Sequence, residues 1–347
     1  MVSLHPYIND ISPVRGVAGG NVVIGCRGFR PGLPSDSRVV FGQAAGDIVS
    51  ASEERIVASI PEGASPGVTL ISDGRTSPVF PFEPAARIAT GLHPVCSPVV
   101  AADGSIITTF SGSRGQEVAQ PLIRLTPSGE KFPFSCDVVN PTGLTFGPDG
   151  QLYLSSRNDG VVYRYTDFER LELVADDLGI ACGIVFDSRG ALLVGDRTGR
   201  VCRIDSTGRR EDFAKLEPSV SAYHLAIDSE DNLYVTGPTL AVRDPLLRIS
   251  RDGAIEVVFR GLARPQGMAF LPDGNLLLAA AYDGKKGVFR FSPRTGSLEH
   301  FASGPTLVGL AVSGDDLYLV DNQSLLRLPI EGSGSPRQAA QPPISPQ

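Results

Sequence analysis

Side chains with scope for chemistry stand at the heads of several short apolar stretches: Cys182, Tyr223, His224 and Gln266. Thiolate and imidazole groups bind soft or borderline metals. These residues therefore raise the hypothesis of a Cys/His metal site. No C-x-x-C, Gly-x-Ser-x-Gly, His-Glu-x-x-His or phosphate-binding glycine-rich motif accompanies them, so the catalytic residues stay unassigned.

The elements that must position these residues repeat along the chain. Six copies of an apolar stretch, a tight turn and a second apolar run align on positions 98, 143, 183, 224, 267 and 309, with steps of 45, 40, 41, 43 and 42 residues. A repeat of about 42 residues is the length of one four-stranded propeller blade. Turns such as Asp149-Gly150 and Asp273-Gly274 suit hairpins. The sequence therefore predicts an all-β fold with a six-bladed β-propeller over residues 84–330.

The last copy predicts how the ring closes. It ends near Leu328 with no fourth strand after it, whereas residues 86–92, before the first copy, resemble the fourth strand at 257–262. We therefore expect the strand at 86–92 to complete the last blade, a three-plus-one closure. Such closure removes the open sheet edges that would otherwise pair with other chains.

Residues 1–83 do not share the repeat. Short alternating apolar runs separated by Gly and Pro turns, at 21–26, 38–42, 55–60 and 67–71, predict a small immunoglobulin-like β-sandwich. A linker is expected around 81–84. Residues 331–347, rich in Gly, Ser, Pro and Gln, are expected to form a disordered tail.

Motifs in residues 1–83 resemble the IPT/TIG immunoglobulin-like family, which implies a docking or spacer domain rather than a catalytic one. They are Pro6-Tyr7-Ile8, Ile11-Ser12-Pro13, Gly19-Gly20, Ile24, Gly28-Phe29, Val40-Phe41-Gly42, Ile60-Pro61, Gly67 and Ser77. The repeats resemble six-bladed propellers of the NHL type and of the gluconolactonase (senescence marker protein, luciferin-regenerating) superfamily. One fold hosts many functions, so the second resemblance speaks for fold more than for activity.

Lactonases of the resembled superfamily hold a divalent metal with a Glu, two Asn and an Asp placed before the first strands of successive blades. The equivalent positions here carry no carboxylate: Ser97, Thr142, Cys182, Tyr223, Gln266 and Val308. The acidic start of the first blade is replaced by His93-Pro94-Val95-Cys96. A hard cation such as Ca²⁺ prefers anionic oxygen ligands. No cofactor is therefore expected, and a lactonase dependent on Ca²⁺, Zn²⁺ or Mn²⁺ is kept as the alternative.

His224 admits three interpretations. It replaces a glycine of the repeat, so the simplest is that it fills the central channel. Virginiamycin-lyase-like propellers use a His as base, which makes His224 a lyase candidate through resemblance. The third is a soft-metal site shared with His93, which would face His224 across the channel of a six-bladed ring. Opposite walls are too far apart to share a metal unless loops fold inward.

Strand parity places irregular polar loops at one end of the ring and uniform hairpins at the other. Irregular loops on a regular scaffold are where binding residues concentrate. We therefore predict a non-catalytic or degenerate binding propeller, with no metal ligands, whose ligand-binding residues surround the channel mouth. They are His93, Asn140, Arg157, Asn158, Asp159, Cys182, Asp196, Arg197, Tyr223, His224, Arg264, Gln266, Tyr282 and Asp283.

Composition limits the partners. The net charge of −7 argues against a nucleic-acid partner, and no apolar run is long enough for a membrane span. An unknown protein or small molecule is the expected ligand. The start lacks a signal peptide, so a cytoplasmic location is expected unless a leader was removed. Twenty-seven arginines against four lysines, together with the IPT/TIG pairing, suggest a bacterial protein.

Overall fold

The structure is a computed structural model that describes residues 5–32, 36–110, 118, 121–134, 138–166 and 170–330. The predicted disordered tail at 331–347 lies outside the described residues. The described residues form strands, turns and irregular segments, with no helix among them. None of the described segments therefore offers a helix that could cross a membrane.

The N-terminal region forms two antiparallel sheets of four strands each. Alternating buried side chains, among them Ile24, Ile56 and Phe41, give the two sheets one shared apolar core. The four alternating runs of the sequence all form strands. The strands of the region are β1 (Tyr7–Ser12), β2 (Arg15–Gly16), β3 (Asn21–Arg27), β4 (Ser37–Phe41), β5 (Ala44–Gly46), β6 (Ile48–Ala51), β7 (Arg55–Ser59), β8 (Val68–Ser72), β9 (Arg75–Thr76) and β10 (Glu83–Pro84). The two sheets are ordered β1-β3-β7-β6 and β5-β4-β8-β9.

The repeat region forms antiparallel sheets in which strands adjacent in sequence pair with each other. Its strands are β11 (Ala86–Thr90), β12 (Val99–Val100), β13 (Ile106–Thr109), β14 (Leu122–Leu125), β15 (Lys131–Phe134), β16 (Pro141–Phe146), β17 (Leu152–Ser156), β18 (Val161–Tyr165), β19 (Leu171–Ala175), β20 (Ala181–Phe186), β21 (Leu192–Asp196), β22 (Arg200–Ile204), β23 (Arg210–Lys215), β24 (His224–Ile227), β25 (Leu233–Thr236), β26 (Asp244–Ile249), β27 (Ile255–Leu262), β28 (Met268–Phe270), β29 (Leu276–Tyr282), β30 (Lys285–Phe291), β31 (Leu298–Ser303), β32 (Gly309–Ser313), β33 (Asp316–Val320) and β34 (Ser324–Pro329).

Each repeat contributes one sheet, and the sheets follow one another around a ring. They are β12 to β15, β16 to β19, β20 to β23, β24 to β27, β28 to β31, and β32 to β34 with β11. The first strand of each sheet contacts the first strand of the next, and β12 contacts both β16 and β32. The ring is therefore closed, which is the arrangement expected of a propeller.

The β11 strand completes the last sheet as the sequence predicted. It pairs antiparallel with β34, with Ala86 opposite Arg327 and Thr90 opposite Ser324. Ala89 and Leu92 are buried with Val320 and Leu325 in one apolar cluster. The ring is thus fastened by strands from both ends of the repeat region, which leaves β34 no free edge.

The repeated glycines allow adjacent first strands to approach closely. A Cβ on Gly143 would lie 2.3 Å from the Cys182 carbonyl oxygen, and one on Gly183 would lie 2.6 Å from the Tyr223 oxygen. Both distances are shorter than any real contact of a Cβ, so these positions exclude a side chain. The glycine pattern is therefore a packing requirement of the ring, and His224 departs from it.

The predicted linker is not a free connection. Glu83–Pro84 of β10 pairs in parallel with Arg15–Gly16 of β2, and Gly16 in turn pairs with Ser303 of β31. The Val17 amide donates to the Ser303 oxygen at 2.7 Å, and Ser303 Oγ donates to the Asn21 oxygen at 2.6 Å. The N-terminal region therefore extends the β28–β31 sheet and is held on it by backbone hydrogen bonds.

Candidate functional site

Two ends of the ring differ in chemistry. The connections from second to third strands, and the segments that enter the first strands, meet at one end, which we call the loop face. The hairpins between first and second strands meet at the other end, which we call the hairpin face. Antiparallel order alone fixes this division, because each strand reverses the direction of the one before. All fourteen predicted ligand-binding residues belong to loop-face segments or to strand ends that border them.

His224 begins β24 and is buried at the loop-face end of the ring. Its Nε2 lies 3.1 Å from Gln266 Oε1, to which it donates. The backbone carbonyl of Gln266 accepts from Thr236 Oγ1 at 2.8 Å, and the backbone amide of Gln266 donates to the Ala279 oxygen at 2.8 Å. Burial lowers the pKa of His224 to about 4, more than the Gln266 hydrogen bond raises it. His224 is therefore a neutral imidazole held on the neighbouring first strand.

His93 occupies a different environment from His224. It is exposed in a left-handed conformation, with φ of 46°, and its ring meets Phe110 edge-on at 6.0 Å. Within the part of the chain that the structure describes, no group of three or more His, Cys, Asp or Glu side chains could hold a metal. The Cys/His metal hypothesis thus finds no donor set among these residues.

The positions that match the lactonase ligands are committed to internal contacts. Cys182 Sγ donates to the Ile180 oxygen at 3.3 Å, and burial raises its pKa to about 11. Thr142 Oγ1 donates to the Asn140 oxygen at 3.1 Å. The Tyr223 hydroxyl donates to the Glu217 oxygen, and burial raises its pKa to about 12. These neutral groups do not fit a hard divalent cation, which needs converging anionic oxygens.

Asp196 shapes a turn rather than facing a ligand. Only 4% of the residue is exposed. Its Oδ1 accepts from the Ile180 and Thr198 amides, both at 3.0 Å, and its Oδ2 accepts from Thr198 Oγ1 at 2.6 Å. A carboxylate used in this way ties the β21–β22 connection to the segment that enters β20.

Arg197, in the same turn, forms hydrogen bonds with the segment that precedes β24. Its Nε donates to the Ser219 oxygen at 3.1 Å, and one terminal nitrogen donates to the Val220 oxygen at 2.9 Å. The Ser219 amide donates back to the Arg197 oxygen at 3.0 Å. The guanidinium group is thus held in place by neutral carbonyls, and no carboxylate in the part of the chain that the structure describes pairs with it.

Arg157, Asn158 and Asp159 form the exposed turn between β17 and β18. Asp159 accepts from Ser156 Oγ at 2.8 Å and from Asn158 Nδ2 at 3.0 Å. The positive charges of Arg157 and Arg197 both favour the Cys182 thiolate, although burial outweighs them. Both guanidinium groups therefore act on the same part of the loop face.

Asn140 and Arg264 occupy equivalent positions before β16 and β28. Both adopt left-handed conformations, with φ of 52° and 50°, and Arg264 is exposed. Among the described residues Arg264 has no hydrogen bond or ion pair. An unpartnered, exposed guanidinium at this place is available to a ligand.

Tyr282 and Asp283 are the last two residues of the predicted set. They lie at the connection from β29 to β30, on the loop face. The Tyr282 ring meets Phe259 edge-on at 5.2 Å and Phe289 at 6.2 Å. Tyr282 thus packs between two sheets, whereas Asp283 is exposed with φ of 49°. The structure assigns Tyr282 a packing contact that the sequence pattern did not indicate.

Arginines of the third strands serve the hairpin face. Arg164 pairs with Asp149 at 3.1 Å, and Arg203 pairs with Asp187 at 2.6 Å. The same register recurs in the other sheets: Arg124–Asp103, Arg248–Asn232, Arg290–Asp273 and Arg327–Asp316. Their recurrence in the sequence was the available signal. They brace the hairpins, and a cleft of about 250 Å³ lined by Arg189, Arg203 and Phe213 lies among them.

Comparison with known proteins shows the fold. No family model and no curated protein matches the chain. A Bacteroides thetaiotaomicron protein of unknown function has a TM-score of 0.57 at 13% identity, covering 95% of this chain and 99% of its own. An auxiliary nutrient binding protein from Bacteroides ovatus gives 0.55 at 12% identity, covering 94% and 98%. A putative gluconolactonase gives 0.57 at 18% identity, covering 71% and 91%. The fold is a β-propeller.

Proposed function

We propose that the chain is a non-catalytic binding protein that recognises a carboxylate-bearing ligand on the loop face. In this proposal residues 84–330 are a six-bladed propeller with three-plus-one closure, and residues 1–83 are an immunoglobulin-like domain. The observation that carries it is the set of arginines on the loop face, Arg157, Arg197 and Arg264, which lack carboxylate partners among the described residues.

The contrast between the two faces supports this assignment. On the hairpin face Arg164, Arg203 and Arg290 are paired with aspartates, so their charges are neutralised within the protein. On the loop face Arg197 is fixed by backbone carbonyls, and Arg264 has no partner among the described residues. Guanidinium groups bind carboxylates through charge-assisted hydrogen bonds. Because no carboxylate among the described residues pairs with these guanidinium groups, they are available to an anionic ligand.

Solved structures that match this chain over most of its length, although at low sequence identity, support a binding role. The two Bacteroides structures match nearly the whole of this chain and of their own, and one of them is named a nutrient binding protein. The putative gluconolactonase covers 71% of this chain. The N-terminal region, fixed to β31 by hydrogen bonds, would act as a rigid spacer that presents the loop face.

Replacing both Arg157 and Arg264 by alanine is expected to weaken binding of the best small carboxylate by at least tenfold. A hydrogen bond to a charged group contributes about 1.5–3 kcal/mol, so losing one corresponds to roughly a 10- to 150-fold loss. Sugar acids, dicarboxylates and acidic amino acids are first screened for compounds that raise the melting temperature of the wild type. Isothermal titration of those compounds then measures their binding to the wild type and to the double variant.

An exposed arginine on the opposite face provides the matched control. Arg189→Ala removes one guanidinium from the hairpin face and should leave the dissociation constant unchanged. Equal weakening by Arg189→Ala would indicate a general charge effect. No binding of any carboxylate in the panel, or binding indifferent to Arg157 and Arg264, would contradict the proposal.

The alternative, a metal-dependent lactonase, makes the opposite prediction about chelation. A metal that binds only the folded state raises stability, so its removal lowers the melting temperature. Because Thr142, Cys182 and Tyr223 are neutral and internally bonded, we expect treatment with EDTA to leave the melting temperature unchanged. Stoichiometric Ca²⁺, Zn²⁺ or Mn²⁺ by elemental analysis, with a fall of several degrees on chelation and turnover of sugar lactones, would favour the lactonase.

A further inference from the structure

Two aliphatic side chains project almost wholly into solvent from the β25–β26 connection on the loop face. Leu240 is 93% exposed and Val242 is 87% exposed, and neighbouring Val220 is 44% exposed. We call residues 237–243 the Leu240 loop. Single exposed aliphatic residues are ordinary, but a group of them on one protruding loop marks an interaction surface.

The loop is held in this conformation by hydrogen bonds rather than left free to collapse. Thr239 donates to Asp244 Oδ1 through its amide at 2.9 Å and through its hydroxyl at 2.8 Å. The Ala241 amide donates to Thr239 Oγ1 at 3.0 Å. Ser219 Oγ and the Val220 amide both donate to the Pro238 oxygen, at 2.9 and 2.8 Å. A fixed loop that presents apolar groups has little ordering entropy left to lose on binding.

Two arginines border the loop, Arg243 and Arg197. Arg243 is exposed and has no hydrogen bond or ion pair among the described residues. Arg197 bonds the Val220 oxygen and borders the base of the loop. Asp244 is 2% exposed and its Oδ1 accepts from Thr239, so this carboxylate is not presented at the surface. The surface therefore combines aliphatic tips with an arginine border.

We propose that the Leu240 loop docks an acidic polypeptide segment, whose apolar side chains cover Leu240 and Val242 while its carboxylates pair with Arg197 and Arg243. A small molecule needs an enclosing cavity, and side chains about nine-tenths exposed enclose nothing. An anionic membrane surface is recognised by clusters of about four to eight Lys and Arg, whereas the arginines that border this loop are Arg197 and Arg243. A polypeptide supplies apolar and anionic contacts together.

Selection from a phage-displayed library of random 12-residue peptides on immobilised wild-type protein tests this proposal. Enriched peptides should combine Asp or Glu with Leu, Ile or Phe. Their synthetic forms should bind at least tenfold more weakly to the Leu240→Ser, Val242→Ser double variant and to Arg243→Glu. Raising the salt concentration should weaken binding to the wild type, since screening reduces the charge pairing.

Val49→Ser is the matched control, because Val49 is 60% exposed on β6 of the N-terminal region. It should leave peptide binding unchanged. Failure to enrich acidic peptides, or equal binding by the double variant, would overturn the proposal. So would loop-dependent co-sedimentation with phosphatidylserine vesicles or a loop-dependent dimer without peptide binding. Carboxylate binding through Arg157 and Arg264 should survive in the double variant, so the two proposals fail separately.

Discussion

Replacing Gly309 by alanine is expected to lower the free energy of unfolding by about 3 kcal/mol, the upper part of the range for overpacked sites. A Cβ at this position would lie 2.4 Å from Ser97 Cα and 2.6 Å from the Ser97 nitrogen. Both atoms belong to the backbone before β12, where the last sheet meets the first, so no side-chain rotation relieves the clash. Urea denaturation of the variant beside the wild type measures the loss.

Gly314→Ala separates this clash from ordinary backbone strain. Gly314 lies in the turn between β32 and β33 of the same sheet with φ of 55°, and a Cβ there would meet nothing within 4 Å. Its expected cost is about 1 kcal/mol, from the left-handed conformation alone. If the two variants lose equal stability, the close approach of Gly309 to Ser97 does not constrain the ring.

The ring was predictable because its signals are local and repeated. Asp149-Gly150 and Asp273-Gly274 specify hairpins whatever the rest of the chain does. The β11–β34 pairing followed from counting, since the last repeat lacks a fourth strand and residues 86–92 supply one. Glycines such as Gly309 stood out by recurrence, although only the structure shows that they face neighbouring backbone.

The candidate site was only partly predictable because its roles depend on neighbouring sheets. Asp196 reads in the sequence as an exposed loop acid, but its oxygens accept from Ile180 and Thr198. Tyr282 packs on Phe259, which is more than twenty residues away in another sheet. The two-residue strand β2 carries no periodicity, so its parallel pairing to β31 left no sequence signal.

Acidification is expected to destabilise the wild type through His224. Burial lowers its folded pKa to about 4, against about 6.5 for an exposed histidine. Between these values the unfolded state binds more protons, so stability falls as the pH drops from 6.5 towards 4, by up to about 1.4 kcal/mol per pH unit. Above pH 6.5 both states are neutral at this residue, and the contribution to stability is constant.

His224→Gln should remove this slope, because an amide keeps a donor for Gln266 Oε1 but does not titrate. Urea denaturation at pH 7 and pH 5 gives the difference directly. His300→Gln is the control: burial also lowers the pKa of His300, but that ring is half-buried and should remove a smaller slope. An unchanged slope in His224→Gln would mean that His224 accepts a proton in the folded state. The neutral His224–Gln266 pair would then be wrong, and His224 would join the arginines as a cation of the loop face.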